Sequence, residues 1–221
     1  MPVLAVSPLN VAKKWQSGSD MAKWVILPAD LRDQATMIFN LFKKDSKRDE
    51  LADRLYRQLV DQARLPVFYT DYAIPDTING RFEMILLHAY MLFRRLRDED
   101  EAAKDLGQAV FDRFFKDMDH SLREIGIGDL SVPKKIKKMA QAFYGRIEAY
   151  DTAREESKEQ LIGALGRNFF PEEESPPSEV SALADYVFEN DTVLGNVNVD
   201  VIKQGQIPFA HPLSLTAKSE S

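Results

Sequence analysis

IPDTINGRFEMILLHAYMLFRRL, residues Ile74–Leu96, is the stretch that decides the fold. Pro75 ends an aromatic, non-periodic loop, and Asp76 or Thr77 is placed to cap a helix that runs to about Leu96. Ile78, Phe82, Ile85, Leu86, Ala89, Leu92, Phe93 and Leu96 cover more than half of that helix's circumference. A helix apolar over so wide an arc has to be covered on most sides, so the remaining chain should wrap around it.

The flanking sequence supplies the wrapping. Leu51, Leu55, Leu59 and Ala63 form an i,i+4 stripe that Pro66 closes. From about Glu101 to Ile125, Leu106, Val110, Phe111, Phe114, Phe115, Met118 and Leu122 make another stripe, and Gly126 is placed to end it in a left-handed conformation. Shorter helices are expected near Lys158–Phe169 and Ser178–Glu189. The expectation is all-α: a single bundle-like domain of five to six helices over residues 37–190. An extension over residues 1–36 reads as disordered, with Met37 placed like a native start. An irregular acidic tail over residues 191–221 follows, in which TVLGNVNVDVIKQGQIPF alternates weakly enough for a short strand or hairpin.

A fourth long helix, SVPKKIKKMAQAFYGRIEAYD from Ser131 to Asp151, combines two conflicting features. Ile136, Met139, Ala140, Phe143, Ile147 and Tyr150 share one face, which is expected to bury. Lys134, Lys135, Lys137 and Lys138 crowd the first turns, where the helix's positive end makes cations unfavourable. The lysines read either as a solvated helix end or as charges kept for a partner.

Composition narrows the classes. The 221 residues are 44% hydrophobic, enough for a sizeable core, and contain no cysteine, which excludes disulfides and thiolate metal sites. No apolar run approaches the roughly 18 residues of a membrane span, so a soluble or peripheral protein is expected. The net charge of −6 is concentrated after residue 170, where two Lys/Arg face nine Asp/Glu. No phosphate-cradling glycine loop, zinc-protease motif or nucleophile elbow is present. The carboxylate runs at Asp98–Glu101 and Glu172–Glu174 are surface charge and not an acid–base pair. His88 lies on a helix that reads as buried, which favours a hydrogen-bonded structural histidine over a haem ligand or proton carrier. His120, beside Asp117 and Asp119, reads as solvated in preference to a metal ligand. Neither cofactor nor metal is expected.

Three segments resemble the ubiquinol–cytochrome c chaperone family: Ile74–Leu96, Gly126–Asp151 and ALGRNFF at Ala164–Phe170. The pattern at Pro75, Asp76, Thr77, Asn79, Phe82 and Leu86 to His88 carries much of the likeness, as does the PKKIKKMAQAFYGR run; the resemblance spans roughly Leu51 to Val187. It implies a non-enzymatic assembly factor for the cytochrome bc1 complex, respiratory complex III. In mitochondria such proteins bind newly made cytochrome b and associate with the ribosomal tunnel exit together with a small partner protein. Without a recognisable presequence or anchor, a bacterial member is expected, in the cytoplasm or at the inner face of the cytoplasmic membrane. The expected client surface has an apolar wall of Phe82, Tyr90 and Phe93, with Asp76, Thr77 and Arg81 at its entrance. Lys134, Lys135, Lys138, Tyr144 and Arg146 would form a rim toward client loops, anionic lipid or ribosomal RNA; no DNA partner is expected. Pro75, Asn79, His88, Tyr150, Asp151, Arg167 and Asn168 match the family pattern as structural positions, Asp151, Arg167 and Asn168 also as a polar network or contact surface.

Overall fold

A computed structural model describes residues 46–213; the extension over residues 1–36 and the start at Met37 lie outside them. In chain order the helices are α1 (Ser46–Ala63), α2 (Val67–Thr70), α3 (Ile78–Leu96), α4 (Glu101–Glu124), α5 (Val132–Glu156), α6 (Lys158–Phe169), α7 (Val180–Asn196) and α8 (Val199–Lys203). Six are long and two are single turns, and there is no strand among the described residues.

α3 is the axis. Thr77 is extended, and its hydroxyl accepts the N–H of Gly80 at 3.1 Å, satisfying a donor that the first turn leaves free. Gly80 has to be glycine, because a Cβ there would lie 2.0 Å from the Pro75 carbonyl oxygen. Every residue from Glu83 to Phe93 is buried, with α1, α4, α6 and α7 all packed against the helix. Asp100 caps α4 and Ser157 caps α6 in the same way as Thr77 caps α3.

α4 ends as its sequence indicates. Gly126 has φ +87°, its N–H bonds to the Arg123 carbonyl, and the Ile127 N–H reaches back to Leu122 at 3.0 Å. That pair of bonds is the Schellman arrangement, which fills orphan carbonyls at the helix end.

Two expectations are corrected. The region after residue 190 is not a hairpin: α7 runs through the 190/191 boundary to Asn196, Asn198 caps α8, and the chain then lies against α1. The Gln58 amide donates to the Gly205 carbonyl at 2.7 Å and its oxygen accepts the Ile207 N–H at 3.0 Å. Gln62 donates to the Ala210 carbonyl, and Asn190 accepts the Ala210 N–H. Side-chain amides thus take the role that a strand partner would have played.

The apolar face of α5 also buries only in part. Phe143, Ile147 and Tyr150 are buried, whereas Ile136, Met139 and Ala140 are half-exposed. The reason is geometric. Phe82 lies against Phe114 and Phe93 against Phe111, so α3 and α4 run antiparallel. Arg146 meets Glu83 and Asp151 meets Tyr90, so α5 ascends alongside α3. Residues 132–142 therefore extend about 16 Å past the last buried aromatic of α5, at ~1.5 Å per residue. Among the described residues, α4 and α5 alone continue beyond the start of α3, as a two-helix arm.

Gly126→Ala should destabilise the domain by roughly 1 kcal/mol, because alanine is strained at that φ. Gly145→Ala should stabilise it by up to about 1 kcal/mol, since nothing lies within 4 Å of its Cβ position in mid-helix. Urea unfolding of the two variants measures both signs.

Candidate functional site

The buried part of α3 carries polar side chains, and each finds a partner inside the protein. His88 is fully buried. Its Nδ1 lies 2.8 Å from the Met84 carbonyl, which can only accept, so the proton sits on Nδ1. Nε2 then accepts from the Tyr186 hydroxyl at 3.0 Å, and that oxygen in turn accepts the Gln62 amide at 3.0 Å. Phe68 and Phe209 approach the imidazole edge-on. Burial holds the His88 pKa down at about 4, so the ring is neutral. Haem ligation, the other reading of this residue, needs a free ring nitrogen, and both are engaged.

One turn earlier, Glu83 is buried and faces Arg146 of α5 through two bonds of 2.7 and 2.5 Å. Burial pushes the Glu83 carboxyl upward and the guanidinium opposes it. Farther along α3, the Tyr90 hydroxyl donates to Asp151 at 3.0 Å, and Arg94 and Arg97 each reach the same carboxylate at 3.1 Å. Arg94 also contacts Asp191 of α7, as does Arg154 of α5. This network ties α3, α5 and α7 together at the end of the bundle opposite the arm.

The residues expected to meet a client divide accordingly. Tyr90 and Phe93 are core side chains and not a groove wall, because α5 and α4 cover them. Arg146 is not a rim cation, because its charge is committed to Glu83. Tyr144 is half-buried and stacks on Phe111 at 5.7 Å. Tyr150 is fully buried edge-on to Tyr90. Asp151 lies in the polar network, Asn168 donates to the Ala164 carbonyl of its own helix, and Arg167 is exposed. The Pro75 carbonyl accepts the Thr77 N–H at 2.8 Å.

What does face outward clusters at one end. Asp76, Thr77, Asn79 and Arg81 are exposed around the start of α3, with Asp76 and Arg81 paired at 2.6 Å. Phe82 is half-buried beside them, and Ile78, on the first turn, is 85% exposed. On the arm, Lys134, Lys135, Lys137 and Lys138 are all exposed, and none forms an ion pair within the described residues. Counting along the helices from the Glu83–Arg146 pair puts Ile78 and Lys138 on the same side of it, about 8 and 12 Å away along their own axes. His120 pairs with Glu124 while Asp117 serves Tyr56 and Arg113, so these groups do not converge; among the described residues no group of three or more His, Cys, Asp or Glu is placed to hold a metal ion.

Sequence reasoning missed Glu83, Tyr186, Gln62 and Asn190. Glu83 carried a signal: it is the one charge in the apolar run between Arg81 and Arg94, where an unpaired carboxylate is not tolerated. Tyr186 and Gln62 have no sequence signal, since their partners lie 98 to 148 residues away, and Asn190 has none because its partner Ala210, 20 residues on, is brought back by the turn after α8.

Arg146→Ala should cost about 3–5 kcal/mol, because it strands the Glu83 carboxylate. Glu83→Leu combined with Arg146→Met should cost much less than that, measured by denaturant unfolding. For His88 the folded pKa lies below the unfolded one, so the unfolded chain takes up the proton first. Its contribution to stability is intact above pH 6.5 and is lost at about 1.4 kcal/mol per pH unit as pH falls toward 4. The stability gap between the natural chain and His88→Gln should narrow over that window.

The family model described as ubiquinol-cytochrome C chaperone matches residues 70–209. The ubiquinol-cytochrome c reductase complex assembly factor 1 of Mus musculus is 26% identical over 155 residues, covering 70% of this chain and 52% of that protein. The Homo sapiens protein of the same name is 26% identical over 157 residues, covering 71% and 52%. The chain thus spans about half the length of these two relatives. A crystal structure of the Cbp3 homolog from Brucella abortus superposes with a TM-score of 0.69 at 39% identity, covering 79% of this chain and 97% of that one. Matched over all of its helices from α3 to α8, the chain belongs to the ubiquinol-cytochrome C chaperone family, a family of assembly chaperones and not of enzymes.

Proposed function

We propose that this protein is an assembly chaperone for the cytochrome bc1 complex, respiratory complex III, and that it binds newly made cytochrome b without making or breaking a bond. The observation that carries the reading is the uneven finish of the bundle. At one end an apolar side chain, Ile78, stands 85% exposed beside the half-buried Phe82, and unpaired lysines project past them. At the other end Arg94, Arg97 and Arg154 are taken up by Asp151 and Asp191.

An unfinished membrane protein offers apolar helices joined by charged loops. A holder for it needs a small apolar ledge with charged groups at its border. Ile78 and Phe82 supply the ledge, and Asp76, Thr77, Asn79 and Arg81 supply polar contacts at its edge. Phe115 and Met118 of α4, half-buried beyond Phe114, extend the ledge toward the arm. The lysines provide a cationic border for a polyanionic neighbour, whether acidic client loops, ribosomal RNA or an anionic membrane surface. The names of the mouse and human relatives, assembly factors of the ubiquinol-cytochrome c reductase complex, support the same process.

Photo-crosslinking in the native host tests the reading, with the cross-linker placed at Ile78, Phe82 and Lys138. Cytochrome b is expected in the adducts from Ile78 and Phe82. Recovery of no bc1 subunit from any of the three positions would sink the proposal, and Glu173 in the exposed loop after α6 serves as the silent control.

A further inference from the structure

The tip that joins α4 to α5 exposes more apolar surface than its fold requires. Ile125 is 71% exposed and Leu130 is 92% exposed, and both lie in the seven-residue turn that Gly126 opens. Neither supports the turn's geometry, which is held by backbone bonds: Gly126 to Arg123, Ile127 to Leu122, and Ser131 and Val132 to Gly128. Gly126 and Gly128 have no atom within 4 Å of their Cβ positions, so the tip is open on that side.

Four lysines follow within eight residues of Leu130. Lys134, Lys135, Lys137 and Lys138 carry no counter-charge within the described residues, and the first turn of α5 holds no acid. The positive end of the α5 dipole lies beneath them, and Ser131 gives no side-chain cap. The acids nearby face other groups and not the lysines. Arg123 binds Asp129 at 2.5 Å and Asp119 at 2.7 Å, and Glu124 faces His120 at 3.2 Å. Among the described residues the arm thus ends in two exposed aliphatic side chains directly below four lysines that form no ion pair.

We propose that the α4–α5 tip docks the protein on an anionic lipid bilayer, with Ile125 and Leu130 entering the interfacial layer and Lys134, Lys135, Lys137 and Lys138 meeting the headgroups. Aliphatic wedges beside lysines suit a bilayer, where apolar burial and surface potential act together. A single-stranded RNA surface would call for exposed aromatics or free guanidinium groups for stacking. The tip has neither, since Arg123 is tied to its two aspartates. Docking here also sets the ledge at Ile78 and Phe82 near the membrane plane, because arm and ledge share one end of the bundle. The inference deepens the reading of the lysines given above. It stands apart from the identity of the client: bc1 cross-links can fail while lipid binding persists, and the reverse.

The absence of cysteine makes a direct test available. The full-length protein carrying Leu130→Cys is labelled with an environment-sensitive dye and mixed with vesicles of phosphatidylcholine, or of phosphatidylcholine with phosphatidylglycerol. A blue shift is expected with the anionic vesicles only, and none from a label at Glu173→Cys in the exposed loop after α6. In co-sedimentation, Lys→Gln at positions 134, 135 and 138 should weaken binding by roughly fivefold per lysine at low salt. Ile125→Ser with Leu130→Ser should weaken it at least tenfold. Both variants should keep the unfolding midpoint of the parent, because these side chains are exposed. An unshifted Leu130 label with anionic vesicles would overturn the proposal. So would vesicle binding indifferent to the Ile125/Leu130 change, or an RNA oligonucleotide that binds through the lysines while the vesicles do not.

Discussion

Everything in this bundle follows from the burial of α3. A helix covered from Glu83 to Phe93 has no water to satisfy its polar side chains, so each one has to be met by another helix. His88 is met by Tyr186 of α7, which is itself held by Gln62 of α1. Glu83 is met by Arg146 of α5. Tyr90 and Arg94 are met by Asp151, and Arg94 also by Asp191. The apolar residues of α3 make the core stable. Its polar residues decide which neighbour lies where, because a helix shifted by one turn would leave a buried charge or imidazole without a partner.

The same constraint explains why the two ends of the molecule differ. Where α3, α5 and α7 run together, three arginines and two aspartates bind one another. Where α3 begins, α4 and α5 continue alone among the described residues, and two helices cannot cover all of each other's apolar surface. Ile136, Met139 and Met118 stay half-exposed for that reason and not because their sequence is polar. Lysines with no ion pair among the described residues and the aliphatic tip then complete an end that is apolar, cationic and geometrically free. The fold gains no stability from such an end, and an exposed apolar patch with a charged border is the mark of an interaction surface.

Much of this was legible beforehand. The helix spans from Leu51 to Glu189 follow from apolar periodicity, and Thr77 and Gly126 mark helix ends by local chemistry alone. His88 reads as a structural histidine because its neighbours are apolar on all sides. The reading failed where the answer depends on a distant residue. Tyr90, Phe93 and Arg146 look like ledge and rim when only their own helices are considered. They are core and ion pair because α5 lies against α3. The segment after Asn190 looks like a strand from weak alternation, yet it folds as helix and clamp because Gln58, Gln62 and Asn190 present amides to it.

By itself the amino-acid sequence determined the helices, their caps, the central place of α3 and the family, all of which rest on residues within a few turns of one another. The tertiary structure alone decided which apolar faces close, which charges are spent and which remain free. Burial and ion pairing are properties of two surfaces in contact, and the second surface lies far along the chain: 61 residues for Tyr90 and Asp151, 63 for Glu83 and Arg146, 98 for His88 and Tyr186.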